Sequence, residues 1–71
     1  MISSKRKILE MSQAAAVEMS LVFEQAADAF KNLDEHSIAF AAHMAAESLE
    51  AYSDEIGKRL AAKESQGAAS D

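Results

Sequence analysis

Lys31-Asn32-Leu33-Asp34-Glu35-His36-Ser37 is the stretch whose reading decides the fold. On either side of it lie long runs of good helix formers, whereas Asn, Asp, His and Ser favour caps and turns over helix interiors. Asn32 followed by Glu35 has the spacing of a capping box, and Asp34 is a rival N-cap for whatever helix follows. If the helix breaks here, the chain is an antiparallel two-helix hairpin. If it does not, the chain is a single helix of about 60 residues that must pair as a coiled coil. The run of weak formers favours the break.

Working back toward the N-terminus, Ile8, Leu9, Ala15, Ala16, Met19, Val22, Phe23, Ala26, Phe30 and Leu33 recur at helical spacing. They predict a first helix over about residues 4–31, with Ser3 or Ser4 as its N-cap and a turn over about 32–35. Lys5, Arg6 and Lys7 fall in its first turn, where positive charge opposes the helix dipole. Working forward, Ile38, Ala42, Ala45, Leu49, Tyr52, Ile56 and Leu60 form a second stripe, predicting a helix over about 35–63. The expected core and dimer seam is Leu9, Met19, Val22, Phe23, Phe30 and Leu33 on the first helix, with Ile38, Leu49, Tyr52, Ile56 and Leu60 on the second. Residues 1–64 make one domain, and 65–71, small and polar, read as a disordered tail.

Composition agrees with an all-α chain. There is no proline, only Gly57 and Gly67, and sixteen alanines among 71 residues. A chain this short hides only about 60% of its unfolded surface, and folds of this size are usually held by disulfides, a metal or a partner chain. With no cysteine, oligomerisation is the expected source of that stability. Met11, Ala14, Val17 and Leu21 lie off the main stripe of helix one, as do Phe40 and Met44 on helix two. A hairpin cannot bury two faces of each helix by itself, so the surplus is expected to meet another chain, first a second copy in a four-helix bundle.

Charge is unevenly placed. Residues 1–7 carry +3, residues 58–71 carry +1, and the body between carries −9, since ten acids face only Lys31. Such a body repels phosphate backbones and attracts basic proteins, so nucleic acid is not the expected partner. The expected partner surface combines Met11, Val17, Leu21, Phe40 and Met44 with Glu18, Glu47 and Glu50, acids flanking apolar anchors. Folding the hairpin should bring Lys5, Arg6 and Lys7 beside Lys58, Arg59 and Lys63, giving a basic end to an acidic body.

His36, Phe40, His43 and Glu47 share one helical face, but only His43 and Glu47 are adjacent, too few ligands for a metal. No metal or cofactor is expected. No cysteine nucleophile, glycine-rich phosphate loop or serine in a strained turn is present, so the reading is of a binding protein and not an enzyme. No apolar run approaches the roughly 20 residues that span a bilayer. Glu10 and Glu18 interrupt the apolar stretch after Lys7, which argues against a secretory signal and for a cytoplasmic location.

Two families are similar in particular residues. Asn32-Leu33-Asp34 at the turn, with Glu47-Ser48-Leu49 and Asp54-Glu55 in helix two, resembles the Rop-like plasmid regulators. That resemblance implies hairpins that dimerise as four-helix bundles and bind paired RNA loops. RNA binding in that family uses basic and amide groups along helix one, where this chain has Glu10, Glu18, Glu24 and Asp28. Over about residues 5–63, the hairpin pattern, acidic balance and apolar surplus resemble small phage-encoded helical-hairpin inhibitors, among them antiactivators that hold LuxR-type receptors off DNA. This second resemblance implies a homodimer that covers the DNA-binding region of a host transcription factor, with Met11, Val17, Leu21, Phe40 and Met44 in the contact. The alternatives are a Rop-like RNA-binding regulator and a chaperone-like bundle for one dedicated partner.

Overall fold

The computed structural model describes residues 4–66, with side chains through residue 62. Two helices, α1 (Ser4–Asn32) and α2 (His36–Gln66), pack side by side as an antiparallel hairpin, and there is no strand among the described residues. The Gln13 amide donates to the Ser53 carbonyl at 3.3 Å, and His43 lies 3.8 Å from Glu24, which fixes the register of one helix against the other. The expected α1 ends one residue early. The expected α2 stops three residues short, so Ser65 and Gln66 belong to the helix and not to a tail. Residues 67–71 and the cap at Ser3 lie outside the described residues.

The break falls where the weak formers predicted it, but through different chemistry. Asn32 is the last residue of α1 and caps nothing, so the capping box with Glu35 does not form. Instead Asp34 adopts the left-handed conformation, φ 62°. This turns the chain so that the Glu35 N–H donates back to the Phe30 carbonyl at 2.8 Å and the Asp34 N–H to the Lys31 carbonyl at 3.1 Å. The pair is a Schellman C-cap with aspartate in the position glycine usually holds. The Glu35 carbonyl then accepts the first bond of α2, from Ala39 N–H at 2.9 Å. Glu35 is therefore the N-cap residue and Asp34 sits one place outside it. Both acids stand at the positive end of the α2 dipole, and Lys31 at the negative end of α1.

The interhelical seam runs through Leu9, Gln13, Ala16, Ser20, Phe23, Ala27 and Phe30 on α1, at alternating steps of four and three. On α2 it runs through Ala39, Ala42, Ala46, Leu49, Ser53, Ile56 and Leu60. All fourteen are buried or half-buried, and the fully buried set is Ala16, Ser20, Ala27, Ala42, Ala46, Ser53 and Ile56. Six of those seven are alanine or serine, so the backbones approach along small residues, as alternating three- and four-residue spacing allows.

The residues expected in the core and dimer seam divide between the hairpin's interior and its surface. Ile56 is buried, and Leu9, Phe23, Phe30, Leu49 and Leu60 are half-buried, but Met19, Val22, Leu33, Ile38 and Tyr52 are exposed in the hairpin. Centring the contact on alanine and serine rotates the bulky stripe onto one flank. The resulting molecule is a slab 52 × 16 × 11 Å with a radius of gyration of 16.0 Å. A compact domain of the same length would have about 11 Å.

Candidate functional site

A hairpin one helix thick has two broad sides, and the seam decides which residues each side shows. Residues one and four places after Gln13, Ser20 and Ala27 emerge on one side: Ala14, Val17, Leu21, Glu24, Asp28 and Lys31. The same offsets from Ala39, Ala46 and Ser53 bring Phe40, His43, Glu47, Glu50, Asp54 and Gly57 to that side of α2. A shallow groove lined by Glu24, Asp28, Lys31, His36, Phe40 and His43 confirms that these flanks adjoin. Here His43 stands between two carboxylates. Its Nε2 is 3.1 Å from Glu47 one turn along α2, and its Nδ1 is 3.8 Å from Glu24 across the seam. His36 is not part of this group; it faces Asp34 at 3.8 Å in the turn.

Offsets of one and four places before Leu9, Ala16, Phe23 and Phe30 give the other side: Lys5, Ile8, Ser12, Ala15, Met19, Val22, Ala26 and Ala29. From α2 it receives Ile38, Ala41, Ala45, Ser48, Tyr52 and Glu55. Ser12, Ala15, Met19, Leu49 and Tyr52 line a second shallow groove there. From Ile8 to Ala29 and from Ile38 to Tyr52 this side carries no ionisable side chain except the Tyr52 phenol. Ile8, Met19, Val22, Ile38 and Tyr52 on it, with Leu33 at the turn, are 43–69% exposed.

The two sides are therefore chemically unlike. Of the expected partner-binding residues, Val17, Leu21, Phe40, Glu47 and Glu50 lie together on the charged side, while Met11, Glu18 and Met44 occupy the outer edges of the two helices. All eight are exposed. Glu24, Asp28 and Asp54 share the charged side with Glu47 and Glu50, whereas Glu18 lies at the outer edge. Glu55 lies toward the other side, where its carboxylate accepts from Arg59 at 3.3 Å.

Reading the sequence by its bulky residues missed this segregation. The signal was there in the alternation of Ala16, Ser20 and Ala27 with Ala42, Ala46 and Ser53, which identifies the seam and thereby assigns each flank.

The register set by Gln13 and Ser53 brings Lys5, Arg6 and Lys7, at the end away from the turn, level with about residues 59–61 of α2, and the Lys63 side chain lies outside those described. Arg6 pairs with Glu10 at 3.2 Å, so part of this charge is met within α1 itself. No group of three or more His, Cys, Asp or Glu side chains among the described residues is arranged to hold a metal ion. No helix among them is long and apolar enough to cross a membrane. No protein-family model, curated protein or solved structure matches the chain.

Proposed function

We propose that the chain acts as a homodimeric protein-binding inhibitor that covers a basic, partly apolar surface of a host regulatory protein, such as the DNA-binding region of a transcription factor. One observation carries this reading. Exposed Val17, Leu21 and Phe40 share one side of the hairpin with Glu24, Asp28, Glu47, Glu50 and Asp54. Apolar anchors ringed by carboxylates are complementary to a surface on which lysines and arginines surround apolar residues, as on a protein that grips phosphate. The carboxylates would take the positions of phosphates, and the anchors would supply burial. Charge of this sign disfavours nucleic acid as the ligand of the same side.

The test is to immobilise the chain, pass nuclease-treated bacterial lysate over it, and identify what is retained. The retained regulator is then mixed with its operator DNA. The expected result is a transcription regulator that the soluble chain displaces from DNA, with both retention and displacement lost in the Glu47→Lys/Glu50→Lys variant. Retention of RNA alone, insensitive to those substitutions, would replace this reading with the Rop-like one. A captured partner whose activity is preserved would replace it with a chaperone-like role.

A further inference from the structure

The side opposite the carboxylates carries no charged side chain from Ile8 to Ala29 or from Ile38 to Tyr52. We propose that a second copy of this chain seats on it, through Met19, Val22, Ile38 and Tyr52, so that the dimer turns both carboxylate-bearing sides outward. This rests on the proposed function only in taking the assembly to be a homodimer; the assignment of the face comes from the hairpin itself.

Three observations select a second copy. First, Ile8, Met19, Val22, Ile38 and Tyr52 on this side, with Leu33 at the turn, are 43–69% exposed, a contiguous apolar surface of the kind that marks an interface. Second, no large side chain among the described residues is fully buried, and Ile56 is the only buried apolar residue larger than alanine. The hairpin thus lacks the core a domain of this size needs, and a second layer on its apolar side would supply it. Third, the side carries large and small residues together, with Ser12, Ala15, Met19 and Tyr52 around one shallow groove. A two-fold interface sets the same patch against itself and so requires both on each copy. On the other side, carboxylates of two copies would face one another, which disfavours pairing there.

Sedimentation equilibrium decides it, with substitutions at adjacent residues that lie on opposite sides. The wild-type chain is expected to sediment at twice 7.6 kDa. Val22→Glu is expected to raise the dimer dissociation constant at least a hundredfold, and Leu21→Glu to leave it within a few fold. Tyr52 is the only tyrosine and there is no tryptophan, so its fluorescence reports this side alone. Its acrylamide quenching should fall several-fold as wild-type protein is concentrated through the dimer transition, a readout that holds even if Val22→Glu fails to fold. A wild-type chain that stays monomeric to millimolar concentration would overturn the inference. So would a dimer dissociated by Leu21→Glu and not by Val22→Glu, or one in which Tyr52 stays as quenchable as in the monomer. The two proposals fail distinguishably: a monomeric chain that still displaces a regulator from DNA overturns the homodimer in both and leaves the inhibitor reading standing, and a dimer that captures no regulator overturns only the function.

Discussion

Asp34 carries the turn at a cost. With φ at 62°, its Cβ crowds the following carbonyl, a conformation costing an L-residue about 1–2 kcal/mol, although aspartate tolerates it better than most. Glycine has no such penalty, and the two backbone bonds of the cap do not involve the side chain. Asp34→Gly should therefore stabilise the hairpin by about 0.5–1 kcal/mol, raising the thermal midpoint followed by circular dichroism. Asp34→Val should lower it, because a β-branched residue in this conformation is strained further. The aspartate is also why the turn type was illegible in the sequence. Without a glycine to mark the left-handed residue, Asn32 and Glu35 offered a capping box that the chain does not use. Ala46 makes the converse point about the seam. It is 0% exposed, and leucine there would have to push the helices apart. Ala46→Leu should destabilise by about 1–3 kcal/mol in chemical denaturation, although it adds an apolar group. If the variant were as stable as the parent, the small-residue seam would be wrong.

At the level of the elements, both helices and their approximate ends could be read from the spacing, because nothing in either run competes with helix. Which face each helix turns to the other could not, because alanine and serine add little to a hydrophobic stripe that bulky side chains dominate. Phe23 and Phe30 do reach the seam, but as half-buried neighbours of Ala16, Ser20 and Ala27. The same logic explains Gly57 inside α2. A Cβ there would sit 3.0 Å from Nε2 of Gln13, the atom that crosses the seam to the Ser53 carbonyl. The glycine makes room for an interhelical hydrogen bond, at a cost in helix propensity of about 1 kcal/mol relative to alanine. A double-mutant cycle follows. Gly57→Ala should gain close to that amount when Gln13 is already alanine, and clearly less in the native background, where it displaces the glutamine. Equal gains in both backgrounds, measured by urea denaturation, would mean that the hydrogen bond contributes nothing.

For the whole molecule, the sequence made the acidic balance and the apolar surplus plain, yet not that the surplus divides between two opposite sides. That division depends on the helical phase of the seam, which small residues determine and bulky ones obscure. Its consequence is thermodynamic as well as functional. If the uncharged side is closed by a second copy, folding and association are one equilibrium, and stability depends on protein concentration. A tenfold increase in concentration adds about 0.7 kcal/mol per chain to a dimer that unfolds to two monomers, half of the 1.4 kcal/mol that a factor of ten represents. For a chain of this length that corresponds to a rise in thermal midpoint of about 3–5 °C per decade of concentration. Val22→Glu should abolish the dependence together with most of the stability. Salt separates the two sides in the same experiment. Closure of the uncharged side is apolar and should hold at 1 M sodium chloride, where the Debye length has fallen to about 3 Å. Capture of a basic regulator by Glu47 and Glu50 should weaken steeply over the same range. A thermal midpoint that did not move with concentration would mean that the alanine seam alone holds the hairpin, and the exposed Met19, Val22 and Tyr52 would then need some other occupant.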